Sequence, residues 1–540
     1  MPSAPPARRA APHLFVTTCL VLALLVSTSG VANASTASKP VPGNPGQLDP
    51  PDPYFPALGN RGYDVEHYDL SIGYDTPTGA IRGDTKIDAR AHERLTRFNL
   101  DLAGLDVASV TVDGHRAAFR HSAVELRVLP RTPIDKDAAF TVRVLYSGVP
   151  DPGKIPSIGY QNSWLTTSDG ITTLNEPDGA RRWFPSNDHP SDKATFAFHV
   201  DVPTPLVAVA NGTLESKVVR GPRTTWNWNE NAPMTTYLSQ LAIGNLDLRN
   251  EAPVDGVGIR NAYAPKVAPQ AAAAARQTPD MLRFLSSWFG KYPFSTYGIM
   301  VPDGGPRGLA FEAQTFSLIS SDTFRNPGLA SAILAHELTH QWFGDSVSPA
   351  AWNHVWLNEG FATYGEWLWS DHALNDPLQV EVDRAVRAVG RTPEVAADDP
   401  GLDHLFGSAP YDRGGLTLHA LRLKLGDATF AQILRTYAQR FNGKSATTED
   451  FLRVVNELAG RDLTSFLHSW LGPGPLPAFP SAPFPPGSDP PAAIGVTTRS
   501  GVRPRSVVVA PERAPRRPEA RQLAGAGVLL GPVRGGQSEG

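Results

Sequence analysis

The feature that most restricts the fold is a change of hydrophobic period partway along the chain. From about residue 62 to 249, stretches such as YDVEHYDLSIGYD, TKIDARA, AAFTVRVLYSG, ATFAFHVDVP and YLSQLAIGNLDL alternate apolar and polar residues between Gly, Asp and Pro turns. Period-two alternation places one set of side chains on one face of a strand, so this half reads as β-rich. From about Pro269 the spacing becomes helical, in PQAAAAARQTPDMLRFLSSWFG, SAILAHELTHQWF, NEGFATYGEWLW, LQVEVDRAVRAV, GLTLHALRLKL, TFAQILRTYAQRF and TEDFLRVVNELAG. TTEDFLRVV opens with a Thr cap and nearby acids, a helix start. The expected fold is multi-domain α+β, with a β-rich domain over 61–250 and a mainly α-helical domain over 251–480. DLTSFLHSWL is expected to be the last ordered element.

Both ends of the chain depart from this pattern. Residues 1–34 run from an Arg-bearing start through the thirteen-residue apolar core LFVTTCLVLALLV to an Ala-x-Ala-like site, the order of a secretory signal peptide cleaved after Ala34. The protein is therefore expected to be secreted, an uncleaved membrane anchor being the alternative. Cys19 is the only cysteine and lies inside that run, so the mature chain has no disulfide or thiol chemistry. Residues 35–60 are rich in Pro and Gly and read as an extended leader, and 481–540 as a disordered Pro/Arg/Gly-rich tail. No second apolar run is long enough to span a membrane. A formal net charge of -4 provides no basic face for nucleic acid, and nothing in the sequence specifies an oligomeric state.

The chemistry sits in AILAHELTHQWFGD. His336 and His340, at i and i+4, project from one helical face a turn apart, the separation at which two imidazoles reach one tetrahedral zinc. Glu337 is placed to hold a water without ligating the metal. The bland alternative is a satisfied histidine pair in a core helix, because a five-residue pattern arises by chance in long proteins. After His340 and eighteen intervening residues comes Glu359, in a second helical segment. Two histidines and a carboxylate with an open fourth position make the catalytic pattern, and this donor set suits zinc best, one ion per chain.

HELTH, eighteen residues and the glutamate of EGFA together resemble the aminopeptidase N-like family of zinc metallopeptidases. EPDGARRWFPSNDHPSDKATF (176–196), GLAFEAQT (308–315), YDRGG (411–415) and DLTSFLHSWL resemble further family segments in the family's order. The resemblance covers roughly residues 54–478. It implies a saddle-like N-terminal β-domain and a thermolysin-like catalytic domain, in a short form lacking the family's C-terminal helical domain. It also implies zinc on His336, His340 and Glu359, Glu337 as general base, Tyr411 as oxyanion donor, and Glu312 and Glu176 as ligands of a substrate's free α-ammonium. On the residues alone, Tyr411 reads as a turn tyrosine, Glu312 as a surface carboxylate and Glu176 as an N-terminal loop acid. Leu309 and Ala313 depart from the family's Gly and Asn around Glu312. The expected function is a secreted zinc aminopeptidase acting on peptides with a free N-terminus. The alternatives are a zinc endopeptidase with the same site and a non-catalytic binding module that keeps the fold.

Overall fold

The structure, a computed structural model, describes residues 51–480 apart from 156, 306 and 375. The signal, the first part of the leader and the tail expected from the sequence lie outside the described residues. Among those described, no helix is long and apolar enough to cross a membrane.

The first half is three sheets. In the largest, of eight strands, Tyr63–Asp75 pairs in parallel with Lys193–Pro203 and antiparallel with Ala80–Ala91. The alternation expected from the sequence is seen directly: along Lys193–Pro203 every second residue is buried. The inward set forms an aromatic core in which Tyr68 stacks on Phe196 and Phe196 on Phe198. A smaller five-stranded sheet includes Gln161–Thr166, Ile171–Leu174, Val207–Ala210 and Leu241–Gly244. Its strand Ile171–Leu174 is buried throughout and leads directly to Glu176.

Helices dominate the second half: α1 (Ala268–Ala275), α2 (Thr278–Phe289), α3 (Pro327–His340), α4 (Trp356–Ala373), α5 (Leu378–Val389), α6 (Gly414–Leu425), α7 (Asp427–Arg440), α8 (Thr448–Ala459) and α9 (Thr464–Leu471). The cap expected at α8 is a full capping box between Thr447 and Asp450.

The structure subdivides some of the expected stretches. PQAAAAARQTPDMLRFLSSWFG is helical as expected and forms two helices, with Pro279 in the first turn of the second, where its missing N–H costs no helical bond. YLSQLAIGNLDL is not one strand: a 3₁₀ turn, Thr236–Leu238, precedes Leu241–Gly244, and Asp247–Val254 then enters a different sheet. That second sheet also contains Val257–Tyr263, Ile299–Val301, Ala310–Phe311 and Ser317–Ile319, so the helical half carries a sheet as well. The last three of these strands have two or three residues each and are wholly buried, which leaves no alternation to read.

Residues 51–60, read above as part of an extended leader, form no helix or strand but are packed onto the body. Asp52 folds back on Tyr54 N and Phe55 N, accepts a hydrogen bond from Trp352 N at 2.9 Å and pairs with His189 at 3.2 Å. Leu58 and Asn60 are buried.

Candidate zinc site

Helix α3 starts from an Asn326 cap, whose side chain accepts from Leu329 N, with Pro327 in the first turn. From Ala330 to His340 every residue is buried, so this is a central helix with no solvent face. It is the reason His336, Glu337 and His340 are all 2% exposed or less. Two glycines of α4 set how closely its neighbours approach. A Cβ on Gly365 would lie 2.1 Å from Thr339 Oγ1 of α3, and one on Gly360 would lie 2.8 Å from the Cα of Gly414. The first contact seats α4 against the metal helix. The second seats the π-helical turn Ala409–Arg413, which carries Tyr411, against the first turn of α4, which carries Glu359.

The result is a convergent donor set. Glu359 Oε2 lies 3.4 Å from His336 Nε2 and 3.3 Å from His340 Nε2. Ligands about 2.0–2.1 Å from a tetrahedral zinc stand about 3.3 Å apart, so these side chains fit the ion without rearrangement. His340 Nδ1 is 3.1 Å from the carbonyl of Phe343, which leaves Nε2 free for the metal. Burial alone would protonate Glu359, but His340 and His336 hold its carboxyl at about 2. Burial likewise lowers the His336 imidazolium, yet Glu359 and Glu366 lift it to about 10. Proton and metal compete for the same lone pair, so this cluster is built to be neutralised by a cation.

Around this set stand the other expected residues. Glu312, Glu337 and His340 bring ligand atoms within 4.8 Å of one another, so both carboxylates border the metal position. Burial pushes the Glu337 carboxyl up to about 8, against the pull of His336 and His340. The Tyr411 ring lies parallel to that of His336, centroids 6.1 Å apart, and its buried hydroxyl is turned towards the Glu359 carboxylate. Burial, and then Glu359, push that phenol well above its usual range, so it remains a donor. The large electrostatic influences on Glu176 after burial come from Glu312, Glu359 and Glu337, which places it in the same acidic group.

Some residues of the site were not foreseen. Glu366 Oε2 lies 3.4 Å from His336 Nδ1, orienting that ring from behind. Its signal was present in the sequence, seven residues after Glu359 and so two turns further along the same helix. Tyr237 donates to the carbonyl of Gly344 at 3.1 Å and accepts from Asn358 Nδ2 at 3.2 Å. It thereby pins the turn after α3 and the start of α4 to the β-rich half. Glu366→Gln is expected to weaken zinc binding about 10–100-fold. Competition against a chelator measures this, and an unchanged affinity would make Glu366 a bystander.

Two histidines and one carboxylate on packed helices make a zinc site of the catalytic kind. Residues 307–470 match the peptidase family M1 domain and 64–238 the peptidase M1 N-terminal domain. The chain belongs to peptidase family M1. It is similar to an M1 zinc metallopeptidase of Deinococcus radiodurans, solved as a mutant bound to a Tyr-Ser-Ala substrate, at 33% identity and a TM-score of 0.74, covering 80% of this chain and 99% of that one. Among curated relatives it is 29% identical to aminopeptidase M1-A of Oryza sativa subsp. japonica, over 55% of this chain and 36% of that protein. It is 23% identical to a leucyl aminopeptidase of Saccharolobus solfataricus, over 75% of this chain and 53% of that protein. The chain thus spans about half the length of these curated relatives or less.

Proposed function

We propose that this chain is a zinc aminopeptidase that removes residues singly from free N-termini. The observation that carries the reading is a set of buried carboxylate oxygens beside the donor set that have no hydrogen-bond partner among the described residues: both of Glu176 and Oε1 of Glu312. Both residues are essentially inaccessible, at 0% and 1% exposure. Unpaired buried acids are costly, and both carboxyls are pushed upward, by burial first. A substrate α-ammonium supplies the charge and the donors that this pocket lacks, with each charge-assisted contact contributing about 1.5–3 kcal/mol.

The remaining roles follow from position. When bound, zinc supplies Lewis acidity, polarising a carbonyl and making water acidic enough to lose a proton near neutrality. Glu337 takes a proton from the attacking water and returns it to the departing amine, and a carboxyl lifted by burial holds that proton in between. Tyr411, kept protonated by burial, donates its hydroxyl to the oxygen on which negative charge develops. With the ammonium at Glu312 and Glu176, one residue separates the terminus from the cut. Residues 1–34 support export of the chain through their signal-like sequence alone.

The test is a pair of peptides of one sequence, free or N-acetylated, given to the zinc-loaded protein. The free peptide should be shortened one residue at a time and the acetylated one left intact, because its amide offers no charge to the two carboxylates. Equal rates on both would replace this reading with an endopeptidase.

A further inference from the structure

Glu312 does not sit on a rigid element. It opens the five-residue connection, 312–316, between the short antiparallel strands Ala310–Phe311 and Ser317–Ile319. Within that connection Thr315 has φ 66°, a left-handed conformation uncommon for a β-branched residue, so the loop needs outside support to keep its shape. Support comes from Gln341, the residue after His340, which is fully buried. Its Nε2 donates to the carbonyl of Glu312 at 2.8 Å, while its Oε1 accepts from Thr315 N at 2.8 Å and from Tyr292 OH at 3.2 Å. Only one orientation of the carboxamide satisfies all three contacts, since the carbonyl must face the donor and the amide N–H the acceptor. From the other side, Thr315 Oγ1 donates to Glu230 Oε2 at 3.2 Å and accepts from Gly212 N at 2.9 Å, both in the β-rich half.

We propose that Gln341 is a positioning residue that ties the Glu312 loop to the end of the metal helix, fixing the spacing between the amine-binding carboxylate and the zinc. One side chain thereby couples two functions that the sequence holds apart. His340 binds the metal, and the next residue grips the main chain of the amine-recognising loop at two points, Glu312 and Thr315. This inference rests on Glu312 as the amine ligand.

Gln341→Glu keeps the shape and turns the donor facing the Glu312 carbonyl into an acceptor. KM for a free amino-acid anilide should rise about tenfold, part of what losing a charge-assisted contact removes, with kcat lowered far less. Preference for free over N-acetylated peptide should fall in parallel, and zinc should stay at one per chain. A purely structural role would instead lower kcat and zinc content together. In a Glu312→Ala background Gln341→Glu should add little, because both act through one contact. Tyr292→Phe removes one hydrogen bond to the carboxamide and should shift KM in the same direction by less, which keeps the test available if Gln341→Glu does not fold. Unchanged KM in both variants, or additive effects in the double mutant, would overturn the proposal. If Glu312→Ala itself leaves the preference for free peptides intact, the aminopeptidase reading of Glu312 fails first. If Glu312→Ala abolishes that preference and the Gln341 and Tyr292 variants do not affect it, only this inference fails.

Discussion

Glu337→Gln is expected to lower kcat by about 10²–10⁴, the usual contribution of a positioned general base, while zinc remains at one ion per chain. Glutamine fills the same volume in a helix with no exposed face. It leaves His336, His340 and Glu359 untouched and removes only the capacity to accept a proton. KM should change little, because binding of the ammonium lies with Glu312 and Glu176. Stability supplies an independent check. Burial raises the Glu337 carboxyl from 4.5 to about 8. An acid raised on folding favours the native state most below its unfolded value, and that contribution is lost as pH rises towards the folded one. The metal-free wild-type protein should therefore lose an increment of stability between about pH 4.5 and 8 that the glutamine variant does not lose. Unchanged kcat would remove Glu337 from the mechanism, and loss of zinc would make it a ligand.

The sequence revealed those parts of the site that depend on spacing within one element. His336 and His340 are a helical turn apart, so their common face follows from α-helix geometry. The third ligand was reachable because Glu359 begins the next long helical pattern. What decides that α4 touches α3 and the turn carrying Tyr411 is less visible: Gly365 against Thr339 for the first and Gly360 against Gly414 for the second. A lone glycine in a helical run reads as a weakness, and its purpose as a contact point appears only when the partner is known. Glu312 and Tyr411 could not be read from periodicity at all. One follows a two-residue strand and the other sits in a π-helical turn, neither of which carries a repeating pattern. Their assignment came from resemblance, and the structure then brings both to the metal position.

The same limit explains what the sequence left out. Gln341 and Tyr237 act through main-chain carbonyls and amides of distant segments, contacts with no residue-type signature at the far end. Asp52 lies in a Pro-rich stretch whose composition resembles a solvated leader. Yet its carboxylate caps Tyr54 N and Phe55 N and reaches Trp352 N three hundred residues away. Composition averages over such single anchoring residues. Strand and helix types were therefore legible where elements are long and half-buried, and illegible where they are short and enclosed.

His340→Ala should remove zinc at ordinary metal levels and activity with it. About 10–16 kcal/mol of zinc binding in four-ligand sites corresponds to roughly 2.5–4 kcal/mol per ligand, or about 10²–10³ in affinity for one imidazole. Here the loss should reach the upper end, because His340 does more than ligate. After burial it is the largest influence keeping Glu359 ionised, and it is also the first influence drawing Glu312 downward. Without it both carboxyls move towards the protonated form, which weakens the remaining ligand and leaves buried acids less compensated. The metal-free variant should therefore unfold at a lower temperature than metal-free wild type, a difference read by calorimetry with chelator present. Excess zinc should restore little activity, since a two-ligand site also misplaces the ion relative to Glu337. This separates the variant from Glu337→Gln, which keeps its zinc and loses its base. A His340→Ala protein that held one zinc and retained its kcat would show that the ligand set lies elsewhere.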